Sequence, residues 1–315
     1  MKKILRKITS IFIILTFMIP SMVFGEIADH GAYYVWDGNS YFSSAQDEDQ
    51  IAIIITGNMN GKLIAKDDEA SMARVMTQIT QLRREYTDSY LIDAGNFTGK
   101  ENRFGSALAE SFELKAMETM AYDAVGIGAK ELSLGKDAAA RYLEAAIKDD
   151  VNTKEYFAYP ALLCANLNWD KIANGALKTA FEKFTPEATF AIVEKYGSKL
   201  GFIGVNEEQG NTVDSANNAI KKLKKADKDL DGIVLVYNGD DVKTLAKGVK
   251  GVDLIIANPS ESKFSQKESE EDREPVVMNG INVVETMGIA GVGQIVFEKG
   301  KKGLEAISLK SYLVD

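Results

Sequence analysis

Hydrophobic positions fall into two alternating kinds of segment along residues 51–315. Short, largely apolar runs at Ile51–Ile55, Tyr90–Asp93, Ala124–Ile127 and Ala161–Ala165 predict buried strands. Between them, apolar residues recur at spacings of three and four, as in Met72, Val75, Met76, Ile79 and Leu82, which predicts a helix over 69–86. Further helices are predicted over 106–120 and 138–147. Phe190–Glu194 and Leu200–Val205 flank Tyr196-Gly197-Ser198 as a hairpin. Helix 215–225, strand 232–236, helix 241–248 and strand 253–256 continue the alternation, and short strands with Gly turns over 275–313 predict a closing antiparallel sheet. The alternation predicts an α/β fold with buried sheet, counted as one domain.

The N-terminus has a different pattern. Lys2, Lys3, Arg6 and Lys7 precede an apolar stretch, Ile8 to Phe24, that ends at Gly25. A basic start, a short apolar centre and a small-residue end predict a secretory signal peptide over 1–25. Pro20 and the polar breaks leave fewer than the ~18 apolar residues that a span needs, so no membrane insertion is expected after cleavage. Residues 26–50, rich in Gly, Ser, Asp and aromatics, predict an irregular leader. The formal net charge of −9 becomes about −13 without the four positive charges of the signal segment. A chain this acidic argues against nucleic acid and anionic membrane surfaces as partners, since either needs basic patches. The sole cysteine, Cys164, lies in an apolar run and predicts a core residue, with no internal disulfide available. Glu268 to Glu274 predicts a solvated acidic loop.

Candidate chemistry gathers where strands end. In open α/β sheets, sites form just beyond the carboxyl ends of strands. Here those ends are followed by Asn58 and Asn60, by Asn96, by Ala129-Lys130-Glu131, by Tyr237-Asn238 and by Asn258-Pro259-Ser260-Glu261. Five junctions converging on one sheet edge make a polar site on position alone.

These residues sit in a frame that resembles the N-terminal metallophosphatase domain of secreted bacterial five-prime-nucleotidases, within the calcineurin-like phosphoesterases. The frame comprises Gly61-Lys62-Leu63, Met72-Ala73-Arg74-Val75, Leu91-Ile92-Asp93-Ala94-Gly95, Met120 to Val125, Gly128 with Glu131 and Gly135, Cys164 to Leu167, and Asp253 to Ile256. The resemblance implies a calcineurin-like metallophosphatase fold over 51–315, a two-sheet β-sandwich flanked by helices. The family holds two metal ions on an Asp-x-His pair, an Asp after Gly, an Asn-His pair, a single His and a His-x-His. Carried onto this chain, those positions are Asn58 and Asn60, Asn96, Ala129 and Lys130, Tyr237, and Pro259 and Glu261, with Ser133 where an Asp partners the catalytic His. The sole histidine is His30, in the leader.

Dinuclear phosphoesterases use bridging carboxylates and neutral imidazoles to hold the ions that generate hydroxide and clamp phosphoryl oxygens. Amides are uncharged and support at best a hard cation such as calcium. The expectation is therefore no metal and no cofactor, and a catalytically inactive protein acting by binding outside the cytoplasm. Asn58, Asn60, Asn96, Lys130, Glu131, Tyr237 and Glu261 form its vestigial site. Two readings of that site stay open: amides that only tie loops together, or a pocket in which Lys130 holds an anion. On the first reading Lys130 forms a salt bridge with Glu131 or Asp93. The expected partner is an unknown protein or a small anionic ligand. The alternative is a residual phosphoesterase that is metal-independent or uses one weakly held ion through Asn58, Asn96 and Glu261. The family's C-terminal base-stacking domain is not expected in the sequence given, which stops at Asp315.

Overall fold

The structure is a computed structural model that describes residues 49–62, 71–86, 89–99, 111–148, 160–168, 175–185, 189–195, 197–260, 275–288, 291–300 and 303–314. The signal segment, nearly all of the leader, the acidic loop and Glu261 lie outside the described residues.

Two six-stranded sheets pack face to face. The first has the order β12-β11-β1-β2-β3-β4, from β1 (Gln50–Thr56), β2 (Ser89–Asp93), β3 (Ala124–Gly126), β4 (Ala161–Leu163), β11 (Gly291–Gly300) and β12 (Gly303–Leu313). The second has the order β5-β6-β7-β8-β10-β9, from β5 (Phe190–Lys195), β6 (Ser198–Asn206), β7 (Gly232–Asn238), β8 (Leu254–Asn258), β9 (Val276–Met278) and β10 (Ile281–Glu285). Strands β1 to β4 are mutually parallel, as are β6, β7, β8 and β10; the antiparallel strands lie towards the sheet edges.

Alternation along each strand divides the core. Ile51, Ile53, Ile55, Tyr90 and Ile92 meet Phe202, Val234, Val236 and Ile256 between the sheets. Ile54 and Leu91 point outward, under α1 (Met72–Glu85), α2 (Phe112–Thr119), α4 (Lys136–Lys148) and α5 (Gly175–Phe184). On the far side Ile203, Leu235 and Tyr237 pack beneath α6 (Thr212–Ala226) and α7 (Val242–Gly248). The result is a four-layer α/β sandwich, as predicted. Strands buried on both faces explain why the centres of β1 and β2, Ile51–Ile55 and Tyr90–Ile92, are continuous apolar runs rather than alternating ones.

The structure departs from the sequence reading in three places. A short helix, α3 (Ala129–Ser133), starts at the junction after β3, where the sequence pattern marks only the end of a strand. Helix α5 fills a stretch for which the pattern predicts no element. The last four strands do not close one antiparallel sheet. Strands β11 and β12 extend the first sheet beside β1, whereas β9 and β10 extend the second beside β8, with β10 parallel to it.

Candidate functional site

The carboxyl ends of the parallel strands from both sheets meet at one edge, and asparagines occupy it. Asn206, Asn238 and Asn258 end β6, β7 and β8 at paired register positions. Each reaches across to the first sheet or its own neighbours. Asn206 Nδ2 donates to the Ile127 carbonyl (3.0 Å) and Asn238 Nδ2 to that of Ala94 (2.6 Å). Asn258 Nδ2 donates to Asn238 Oδ1 (2.9 Å), and its own oxygen accepts from Thr286 Oγ1 (2.6 Å). Asn166 completes the set by bonding both backbone groups of Asn206. Strand-end carbonyls left over by the ladders are thereby satisfied from the opposite sheet.

Above this layer lie the loops after β1 and β2. Asn58, Asn60 and Asn96 all adopt left-handed backbone, with φ of 56°, 50° and 57°. Asparagine tolerates that region better than other residues with a Cβ. The loops dock through Asn58 N–H on the Gly95 carbonyl (2.9 Å) and Asn60 N–H on that of Asn96 (2.8 Å). Asn96 Nδ2 donates to Asn58 Oδ1 (2.8 Å), while Asn96 Oδ1 accepts from Lys130 N–H (3.0 Å). Asn58 Nδ2 donates to the Pro259 carbonyl (3.3 Å), and Asn60 Nδ2 to the Asn58 carbonyl (2.8 Å). Gly128 has to be glycine, because a Cβ there would run into the Asn96 side chain.

Glu131 is the buried anchor of the site. Its Oε2 accepts from the N–H groups of Asn96 (2.9 Å) and Gly128 (2.8 Å), and its Oε1 from Thr98 N–H (2.9 Å) and Oγ1 (3.0 Å). Burial raises its carboxyl above the usual range, against those four bonds. Asp93 lies beneath, fully buried. It accepts from Thr56 Oγ1 (2.7 Å) and Gly95 N–H (2.8 Å), and burial pushes its carboxyl up to about 7. Both carboxylates are thus committed to the framework.

Four of the sequence-predicted site residues are therefore joined directly: Asn58, Asn60, Asn96 and Glu131. Lys130 joins through its backbone alone. Its side chain is exposed and forms no ion pair with a described residue, because Glu131 and Asp93 both point inward to other donors; the expected salt bridge is absent. Tyr237 is not brought to the site. The side chains of β7 alternate, so Val234 and Val236 face the first sheet while Tyr237 faces α6 and α7. Burial, then the charge of Glu207, raise its phenol, which hydrogen-bonds Glu207. Asn238 is the residue that β7 presents, and Asn206 the one from β6; an asparagine closing an apolar run is the signal that marks both. Glu261 lies outside the described residues. Cys164 is a core residue, its thiol pushed up to about 12 by burial.

A dinuclear metal centre does not fit these residues. Among the described residues no group of three or more His, Cys, Asp or Glu could hold a metal ion. The Asn58 and Asn96 side-chain oxygens already accept N–H donors, and the Asn96 amide turns an N–H group, not a lone pair, towards Asn58.

Comparison with solved structures matches the architecture. The 5'-nucleotidase precursor of Thermus thermophilus superimposes with a TM-score of 0.62 at 18% identity, covering 84% of this chain and 54% of that one. The calcineurin-like phosphoesterase YfkN of Bacillus subtilis superimposes with a TM-score of 0.57 at 17% identity, over 84% of this chain and 90% of that one. This chain has the calcineurin-like phosphoesterase fold. It is built like the N-terminal metallophosphatase domain of 5'-nucleotidases. The NAD nucleotidase of Haemophilus influenzae shares the phosphoesterase fold, with a TM-score of 0.63 at 14% identity over 84% of this chain and 50% of that one. In sequence, the chain is 28% identical over 234 residues to the trifunctional nucleotide phosphoesterase protein YfkN of Bacillus subtilis (strain 168), covering 65% of this chain but only 16% of the relative. No protein-family model matches the chain.

Proposed function

We propose that this protein is a non-hydrolytic member of the phosphoesterase fold, exported by its N-terminal segment and acting by binding outside the cytoplasm. The observation that carries the reading is the mutual bond of Asn96 and Asn58, which occupies the two positions where the resemblance places metal-holding aspartates. A centre that generates hydroxide needs anionic and imidazole ligands there, and amides bonded to each other supply neither. The relatives in sequence and structure include nucleotide phosphoesterases, so a phosphate-bearing anion is the ligand to test first. Lys130 is its holder: an exposed cation beside the Gly128 backbone, with no competing carboxylate partner among the described residues.

The mature protein is assayed for hydrolysis of AMP and bis(p-nitrophenyl) phosphate with added manganese, zinc or calcium. The expected result is no turnover above buffer and less than one bound ion per chain by elemental analysis. Chelator-sensitive turnover that disappears in Asn96→Ala would overturn the reading. Calorimetric titration with phosphate and AMP is expected to show weak binding that Lys130→Ala abolishes at unchanged melting temperature.

A further inference from the structure

We propose that the cavity between α3, α4 and α5 is a binding site for an uncharged, flat aromatic molecule of one or two rings, next to the strand-end amide site, with which it shares only the wall formed by Glu131 and Ile127. The cavity is partly open to solvent and holds about 290 Å³. That is roughly the share of ten liquid waters and close to the lower end of small-molecule pockets. Its wall is mostly apolar among the described residues. Phe97, from the loop after β2, and Tyr142, from α4, set two rings 6.5 Å apart at 35°. Leu177 and Phe181 on α5 also line it, and Gln209, on the single helical turn after β6, adds an amide. Water against most of this wall finds no hydrogen-bonding group. A ligand ring, in contrast, can pack against the wall that the Phe97–Tyr142 pair and Phe181 supply.

The polar groups near the wall decide the charge of the occupant. Glu131 lines the cavity, but its two oxygens are fully engaged by Asn96, Gly128 and Thr98. The Tyr142 hydroxyl donates to Glu113 Oε2 (2.9 Å), so it too is turned to a protein partner. Among the described lining residues there is no lysine or arginine. An anion entering here would meet the buried Glu131 carboxyl, with Glu113 behind Tyr142, and no counter-charge among the described lining residues, and a cation would give up its hydration for oxygens that already hold their hydrogen bonds. Neutral ligands suffer neither penalty, and Gln209 is the one side-chain amide among the described lining residues that can read a single polar atom on the ring.

Indole is the probe, followed by NMR of aromatic side chains in the full mature chain, with benzoate as an anion of similar size. Saturable shifts of the Phe97, Tyr142 and Phe181 resonances with indole are expected, and binding of benzoate at least tenfold weaker. Ala139→Leu fills the cavity from α4 with a good helix former and should weaken indole at least tenfold without lowering the melting temperature. Leu134→Trp is the second filler. Absence of indole binding, equal binding of benzoate, or wild-type affinity in both fillers would overturn the proposal. Because the indole–benzoate comparison uses the wild-type chain, it decides the matter even if a filler is unstable. Phosphate titrated into the same samples should leave these resonances in place, so failure of the anion reading at Lys130 is a separate result.

Discussion

Asn96 and Asn58 are bonded side chain to side chain at 2.8 Å, and the direction of that bond is fixed from outside the pair. Lys130 N–H occupies Asn96 Oδ1, so the Asn96 amide has only its N–H₂ group left to offer Asn58. Asn96→Asp would replace that donor by a carboxylate oxygen facing Asn58 Oδ1. The expected loss is about 1–2 kcal/mol of stability at neutral pH, recovered below the pH at which the new carboxyl protonates. Urea unfolding of the variant at pH 7.5 and pH 4 checks both parts.

Asp93 predicts a pH dependence of the wild-type protein. Its carboxyl is raised from 3.8 to about 7 on folding, chiefly by burial, so the folded state holds its proton more tightly than the unfolded one. The stabilisation from that proton is complete below about pH 4 and is lost as pH rises through 7, on the order of 4 kcal/mol in all. Asp93→Asn should flatten this slope, measured as the difference in unfolding free energy between pH 5 and pH 8.

Glu131→Gln tests the buried anchor. A carboxylate accepts all four donors from Asn96, Gly128 and Thr98, whereas a glutamine must turn its N–H₂ against at least one backbone N–H among them. We expect a loss of about 2–4 kcal/mol. Faster amide exchange at Asn96, Thr98 and Gly128 than elsewhere in the sheets would localise the effect.

Lys195 and Asp123 form a cross-sheet pair at 2.6 Å, with side chains 10% and 12% exposed, and Lys195 lies 5.0 Å from the Tyr90 ring centre. Lys195→Met should cost about 3 kcal/mol, because Asp123 keeps its burial and loses its counter-charge. Adding Asp123→Asn should restore part of the loss, since Asn can still accept from Leu91 N–H. A double-mutant cycle by urea unfolding measures the coupling.

Much of this architecture was legible in the sequence because the physics was local. The run Ile51–Ile55 can be satisfied only by burial on both faces, and Met72 to Leu82 only by a helix with one buried side. Helix α5 is equally local, with Leu177, Ala180, Phe181 and Phe184 spaced as one face, although no element is predicted there. The five-residue α3 carries too little period to show. The division of β9 to β12 between two sheets depends on pairing with β1 and β8, partners distant along the chain that no local pattern contains. At the site, Asn58, Asn60 and Asn96 follow from strand ends, but placing Tyr237 there instead of Asn238 ignores the two-residue alternation that Val234 and Val236 set. The inward turn of Glu131, and with it the release of the Lys130 side chain, depends on which backbone N–H groups the folded loops leave over.

The left-handed backbone at positions 58, 60 and 96 has one more implication. Aspartate is almost the same shape as asparagine and accepts the same torsion, so carboxylates at these positions require no rebuilding of either loop. What separates this chain from a carboxylate-bearing version is electronic rather than steric: the sign of one hydrogen bond and the charge that would come with reversing it. Directed restoration of acidic ligands should therefore start from the existing scaffold at Asn58 and Asn96. The imidazoles are the harder half, since Ala129 and Lys130 open a helix and Pro259 already lends its carbonyl to Asn58.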